Sequence, residues 1–439
     1  MSPSPRIILS LLTCFLSFLT PFPSPLTSAS HAAPVIITID KSRPATLTQL
    51  QLGVTHTQHT IDLGLPDSVA QARKLLAEVA TYHNQHIMGW GADNPNPAPG
   101  VYNFKSLDAR LALIESMNGT PILTLCAAPD WMKGEPPNKT DWSKIEVAPL
   151  PQHYADFAAL AKTIAKRYPK VKHYQVWNEM KGFWNPKINN WDYENYTRLY
   201  NLTYDALKSV SKDIQVGGPY LVIEGTGSNK KGPWPAEPPI RKRQHDLIDY
   251  WLEHLHGADF IVVDRSIPDF HDKNPYTSAE LMSFTETFGD TVRQLRQKTP
   301  LPIWFAEYYG ATSSPEFTAA HYASIYHHMM LQGAFVALLW SPMQSDINHA
   351  LLSDTRNPGG PQPLPHYAVF KIFHDHFPPG TLLYTTDSSS PDVEAIASLN
   401  KIVLINKSNA TIDVTLPNSA PPPLQPYEVR LLDRNPDGP

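Results

Sequence analysis

A chain of 439 residues is longer than an average single domain and suits one large α/β barrel with a small appended module. Its net charge of −5, with 18% of residues charged, provides no basic stripe, which excludes nucleic acid as a natural partner and favours neutral ligands. The 44 prolines and 10% aromatic content point to long, stiff loops and to ring faces on which sugars can stack.

Residues 1–32 read as a secretory signal peptide, with Arg6, an apolar run from Ile7 to Leu19 and small residues around Ala29 to Ala33. That run is too short to span a bilayer, and no later stretch reaches about 20 apolar residues. The expectation is therefore a secreted, extracellular protein without a membrane anchor. Cys14 falls in the signal, which leaves Cys126 alone in the mature chain and excludes an intrachain disulfide. Within the apolar run Ile122 to Ala127, Cys126 reads as an inert core thiol. Asn-x-Ser/Thr triplets at Asn118, Asn138, Asn195, Asn201, Asn406 and Asn409 are acceptors for glycosylation on a eukaryotic secretory route.

Strand-length apolar runs then alternate with stretches of helical period. Gln51–Thr57 is the first strand, and Ser68–His83 follows with Val69, Ala72, Leu75, Leu76 and Val79 on one helical face. Strands His86–Gly91 and Pro121–Ala127 precede a helix at Tyr154–Tyr168. Strand His173–Glu179 precedes a helical stripe of Tyr193, Tyr196, Tyr200, Tyr204 and Leu207. Gln215–Tyr220, Phe260–Asp264, Pro302–Glu307 and Phe335–Ser341 complete eight strands, and Tyr367–Phe377 is the last helix. Eight such units imply a (β/α)8 TIM barrel over residues 50–378. An open doubly wound sheet shares the local pattern, but its dinucleotide-binding form is disfavoured because no Gly-x-Gly-x-x-Gly turn follows the first strand.

Beyond the barrel, Thr381–Thr385, Val393–Ser398, Ile402–Asn406, Thr411–Leu416 and Tyr427–Leu432 are short strands separated by Ser, Pro and Asn. They predict a small accessory β-sandwich over residues 33–49 and 379–434, joined by the strand-like Val35–Ile39.

In such a barrel, side chains at the C-terminal strand ends converge on one face. The fourth strand ends Val176-Trp177-Asn178-Glu179, and the seventh ends in Glu307 after Ile303-Trp304-Phe305-Ala306. Paired carboxylates supply what glycosidic cleavage needs: one acid to protonate the leaving oxygen and one carboxylate to attack the anomeric carbon or direct water to it. The two strands are expected on opposite sides of the ring, with a separation near 5 Å permitting double displacement.

With Trp340 ending the eighth strand, these features resemble the clan A glycoside hydrolases. Within that clan the segment Val176 to Trp184 (VWNEMKGFW) and the flanking β module are most similar to glycoside hydrolase family 39. The resemblance implies a retaining hydrolase of poly- or oligosaccharides with Glu179 as acid/base, Glu307 as nucleophile and Asn178 on the sugar 2-hydroxyl. Trp340 would be the platform beneath the sugar. Glu179 should then be protonated before attack and Glu307 ionised. Clan members often place a His or Tyr after strand six near the nucleophile; Asp264, Arg265, His271 and Tyr276 are available here without a clean motif match.

Trp90, Trp131, Phe183 and Trp184 are further platform or packing candidates, and His56, His59 and Asp93 are candidate hydroxyl ligands or structural residues. Asp354 and Arg356, past strand eight, are candidate substrate contacts. The insertion Glu224–His245 carries Lys230, Lys231, Arg241, Lys242 and Arg243, which suit a solvated loop or a grip on an acidic polysaccharide. His327-His328 read as solvent or packing residues of an outer helix. No metal or other cofactor is expected, and the partner is a carbohydrate substrate. Two other readings stay open: a barrel that binds carbohydrate without cleaving it, and a barrel hydrolase or lyase of different chemistry.

Overall fold

The computed structural model describes residues 33–223, 240–267, 276–344, 349–417 and 419–434. The expected signal segment, most of the basic insertion and His271 lie outside the described residues.

Strand β1 (Val35–Leu47) precedes the barrel strands β2 (Gln51–Thr55), β3 (Tyr82–His86), β4 (Thr120–Leu125) and β5 (His173–Val176). A hairpin of β6 (Trp184–Asn185) and β7 (Asn190–Trp191) follows, and the barrel resumes with β8 (Gln215–Ile223), β9 (Phe260–Ser266), β10 (Ile303–Tyr309) and β11 (Val336–Trp340). The eight barrel strands are parallel and close in the order β10-β11-β2-β3-β4-β5-β8-β9. Around them run α1 (Pro66–Ala77), α2 (Lys105–Glu115), α3 (Tyr154–Arg167), α4 (Tyr193–Lys208), α5 (Lys242–His254), α6 (Ser278–Ser283), α7 (Glu286–Arg296), α8 (Pro315–Leu331) and α9 (Pro365–His376). Local chemistry sets several helix starts: Asp192 caps α4 by accepting from the Asn195 N–H, and Ser314 caps α8 by accepting from the Phe317 N–H, with Pro315 in the first turn.

The second barrel strand differs from expectation. It is Tyr82–His86, not His86–Gly91, and α1 ends at Ala77 so that the chain can enter it. Tyr-His-Asn-Gln-His is polar in composition, yet all five side chains are buried. Hydropathy selects the following Ile87 to Trp90 because it does not register polar residues that lie buried inside a barrel.

The barrel floor is filled by large rings. Phe260 stacks on Trp304 at 3.9 Å between centroids, with Tyr82 beside them. Two glycines make room: a Cβ on Gly217 would lie 2.2 Å from the Phe260 ring, and one on Gly53 would lie 2.4 Å from the Tyr82 carbonyl. Cys126 is buried in the main core, and burial pushes its thiol up, away from the reactive thiolate.

From Pro34 on, the chain is one compact unit. The accessory domain is a six-stranded sheet in the order β15-β1-β12-β13-β14-β16, with β12 (Leu382–Ser388), β13 (Val393–Ala397), β14 (Lys401–Asn406), β15 (Val414–Thr415) and β16 (Val429–Asp433). Alternation divides its faces: Val393, Ala395, Ala397, Ile402 and Leu404 join a separate apolar cluster with Val35 and Ile37, whereas Ile396, Val403 and Ile405 join the barrel core. Helix α8 is thus covered on two sides, which explains why apolar residues surround it instead of forming one stripe. Glu394 on β13 ties the layers together, accepting from Ser324 (2.7 Å) and pairing with His328 (3.0 Å) and Lys407 (2.6 Å). His327 packs alongside, its Nδ1 at 3.9 Å.

Removing Glu394 leaves the buried Lys407 ammonium uncompensated. Glu394→Ala is therefore expected to cost about 3 kcal/mol, read as a lower denaturation midpoint at unchanged far-ultraviolet circular dichroism.

Candidate active site

Beyond Val176 the chain turns sharply at the barrel mouth. Trp177, Glu179 and Met180 all have positive φ (74°, 49° and 56°), as do Trp90, Tyr220 and Ser341 near other strand ends. Non-glycine residues adopt this region at a cost of about 1–3 kcal/mol each, and the surroundings must enforce it. Trp177 does so after β5: its backbone N–H donates to the Leu125 carbonyl, its indole N–H donates to the Lys181 carbonyl at 2.7 Å, and its ring packs on Phe157 and Phe183. Phe183, a possible platform from sequence, is a buried part of this packing.

This turn delivers Glu179, and β10 delivers Glu307, which is buried. One carboxylate oxygen from each of Glu179, Asp264 and Glu307 lies within 4.8 Å of the others. Strands β5 and β10 are not diametrically opposed; only β8 and β9 separate them along the shorter arc. Those two strands fill the gap. Register shifts between Pro219 and Leu221 and between Phe305 and Glu307 set Tyr220 and Ala306 outside the ladder and place Glu307 level with Asp264.

Tyr220 donates its hydroxyl to Glu307 Oε1 and Tyr309 donates to Oε2, both at 2.5 Å. The partners of Glu307 thus come from the fifth and seventh barrel strands, whereas the sixth supplies Asp264. The Arg265 guanidinium donates to the Ile223 carbonyl, and Tyr276 packs on Phe284. Lys181 bridges Glu179 Oε2 (2.8 Å) and Glu146 (2.7 Å) and sits 5.9 Å from the Trp90 ring centroid. Sequence reasoning quoted Lys181 only within a motif and passed over Tyr309. A lysine two residues beyond Glu179 and a tyrosine two beyond Glu307 were the available signals.

Electrostatically the site departs from the expected pattern. Burial foremost, then the negative Glu179, pushes the Glu307 carboxyl up to about 8, against the opposing pull of the tyrosine hydrogen bonds and Lys181. Burial, then Glu307 and Glu179, holds Asp264 well above the usual carboxylate range. Burial opposes the charge on Lys181, but Glu179 and Glu146 outweigh it and raise its pKa. The three acids are the described residues close enough together to share a cation. Their oxygens face hydroxyl and ammonium donors, an arrangement of acids that share protons.

Around this cluster stand several expected ligands. Asn178 is buried beside His86, and its Oδ1 has no hydrogen-bond partner among the described residues. Trp340 and Trp90 meet edge to face at 6.2 Å, and His86 packs 4.3 Å from Trp90. Trp184 is 45% exposed on the β6–β7 hairpin with Arg243 over its ring at 5.5 Å. Beneath the mouth a hydrogen-bonded chain crosses the barrel: Gln175 to Thr124, Thr124 to Asn84, Asn84 to Thr55, and Thr55 to the Ala306 carbonyl.

Other expected ligands are engaged elsewhere. His56 uses Nδ1 on Thr60 (2.5 Å) and Nε2 on His83 (3.0 Å), so its ring is a buried structural element. The Trp131 indole N–H donates to the Asn96 carbonyl, and the ring packs on His153. Asp354 is paired with Arg356, whose Nε donates to both carboxylate oxygens at 2.9 and 3.0 Å and holds the acid below its usual range. His59 is half-buried, and Asp93 is exposed.

A parallel eight-stranded barrel with clustered carboxylates, tyrosine donors and tryptophans at the C-terminal strand ends is the active-site arrangement of a glycoside hydrolase. Residues 82–347 match the profile of glycosyl hydrolases family 39, and the chain belongs to that family. A conserved exported protein from Bacteroides fragilis is similar in structure, with TM-score 0.61 and 12% identity over 90% of this chain and 98% of that one. A family 39 enzyme from Xanthomonas axonopodis pv. citri gives 0.55 and 18%, covering 87% and 77%. A family 39 β-xylosidase from Caulobacter crescentus gives 0.55 and 17%, covering 87% and 83%. These identities establish a shared fold. No curated protein matches the chain in sequence.

The raised Glu307 carboxyl has a consequence for stability. A carboxyl whose folded pKa exceeds its unfolded value stabilises the protein below the unfolded value, here about 4.5, and that contribution is lost as pH rises towards about 8. Glu307→Gln is expected to melt about 2 °C higher than wild type at pH 8, with the difference vanishing near pH 4; calorimetry across that range checks it.

Proposed function

We propose that this glycoside hydrolase acts by double displacement, with Glu179 as general acid/base and Glu307 as nucleophile. The observation that carries the proposal is the approach of the two carboxylates to within 4.8 Å. Retention needs a separation of roughly 5–5.5 Å, whereas inversion leaves about 6.5–9.5 Å for a water. The tyrosine hydroxyls on Glu307 orient its oxygens, and Asn178, beside Glu179 in the turn, is assigned to the sugar 2-hydroxyl by the family resemblance. Trp340 and Trp90 offer ring surfaces for the sugar at the cleavage point. Trp184 with Arg243 above it suits a more distant sugar on the rim.

For substrate, β-xylosidic oligo- or polysaccharides are the first choice, in keeping with the Caulobacter β-xylosidase and with the similarly folded xylanase C of Talaromyces cellulolyticus. Residues 1–32 support export of the enzyme to such substrates, and no helix among the described residues is long and apolar enough to cross a membrane.

Two variants test the roles on a panel of nitrophenyl glycosides led by 4-nitrophenyl β-D-xyloside. Glu307→Gly is expected to lose hydrolysis and, with azide, to release a glycosyl azide of inverted configuration; unchanged hydrolysis excludes it as nucleophile. Glu179→Ala is expected to slow substrates with poor leaving groups by about 10²–10⁴-fold while sparing activated aryl glycosides, and with azide to yield the retained anomer. Equal losses on both substrate types would remove Glu179 from the acid role. The first-formed product anomer, read by nuclear magnetic resonance, separates retention from inversion in the wild-type enzyme.

A further inference from the structure

The acid/base reading of Glu179 raises a question that the site answers with a third acid. Lys181 Nζ lies 2.8 Å from Glu179 Oε2, whereas leaving-group protonation requires a proton on that same carboxyl. Asp264 is 2% exposed, is level with Glu307 in the β9–β10 ladder, and has a carboxylate oxygen within 4.8 Å of oxygens of both Glu179 and Glu307. Three acids this close in a buried site do not all ionise together, so the cluster retains a proton. We propose that Asp264 is a positioning residue for Glu179: a buried carboxyl that stores the shared proton and passes it to Glu179 when the glycosidic oxygen arrives.

Among the described residues, the charged and titratable groups facing Asp264 are mostly acids and phenols. Glu307 on β10 and Glu179 past β5 disfavour its charge, and Tyr220 on β8 and Tyr309 on β10 direct their hydroxyls to Glu307. Lys181, from the β5 turn, opposes the upward shift; the neighbouring Arg265 donates to the Ile223 carbonyl and also interacts with the Asp264 charge. The proton balance closes over one turnover. Asp264 O–H breaks and Glu179 O–H forms; Glu179 then gives that proton to the departing oxygen as the glycosyl–Glu307 ester forms. When water attacks the ester, Glu179 takes the water proton and returns it to the Asp264–Glu179 pair, and Glu307 leaves as carboxylate.

This inference rests on the acid/base assignment of Glu179, and the experiment separates the two. The probe is an aryl glycoside of the sugar turned over fastest in the panel, carrying a weakly acidic phenol whose departure needs the proton, and the readout is the pH profile of kcat/KM. Two acids sharing a proton lose the last one at a higher pH than either alone. Asp264→Asn removes the second acid and leaves a permanent N–H donor beside Glu179. The alkaline limb is therefore expected to fall by about one pH unit or more, with KM changed less than twofold. Asp264→Ser, smaller and equally uncharged, carries the same expectation if the asparagine variant does not fold. An alkaline limb that stays in place in a folded variant overturns the proposal. In Glu179→Ala the limb is expected to disappear; if it persists, the acid/base assignment itself is wrong. If it disappears there yet is unmoved by Asp264→Asn, only the role of Asp264 fails.

Discussion

Holding acidic groups against one another in a largely dehydrated barrel mouth is the constraint that organises the site. At an effective dielectric constant of about 20, two unit charges near 4.8 Å repel by roughly 3 kcal/mol, equivalent to about two pKa units. Glu179, Asp264 and Glu307 therefore titrate as one system. The surroundings distribute that repulsion unevenly. Glu179 has an ammonium partner, Glu307 has two phenol donors, and Asp264 is held towards its neutral form by burial and by the two glutamates.

The architecture that permits this is specific to the arc between β5 and β10. Two displaced residues, Tyr220 and Ala306, let neighbouring parallel strands present a phenol and two acids at nearly one level, which uninterrupted ladders would not do. Around the longer arc, the chain from Gln175 through Thr124, Asn84 and Thr55 to the Ala306 carbonyl links the same two strands by neutral hydrogen bonds. Each carboxylate strand is thus braced from both directions, by charge-sensitive contacts on one side and by charge-independent ones on the other.

Most of the barrel was legible because apolar strand ends, helical stripes and the Asn-Glu turn are local signals. Glu179 and Glu307 stood out as acids closing apolar runs, a pattern carried by adjacent residues. What escaped was non-local. Tyr82–His86 is hidden by its polarity, since satisfaction of His83 by His56 and of Asn84 by Thr55 and Thr124 depends on strands far away in sequence. For the same reason His56 stayed open between a sugar ligand and a structural residue, and its two nitrogens are occupied by protein groups. Tyr220 and Lys181 belong to the site through an irregular turn and a displaced register, features to which hydropathy is blind.

The pairing of β1 reaches beyond catalysis. Val35 and Ile36 align with Val414 and Thr415, and Ile37 to Leu47 run against β12, so the earliest segment of the described fold finds its neighbours about 335–380 residues later. During synthesis this strand emerges with an unmatched edge and must wait until nearly the whole chain has been made. Closing so large a loop late slows completion of the sheet and prolongs exposure of an aggregation-prone edge. The turned backbone about Ser42, where the Asp40 carboxylate accepts the Ser42 N–H, and the charges of Lys41 and Arg43 interrupt that edge and so work as a guard against premature pairing with another nascent copy.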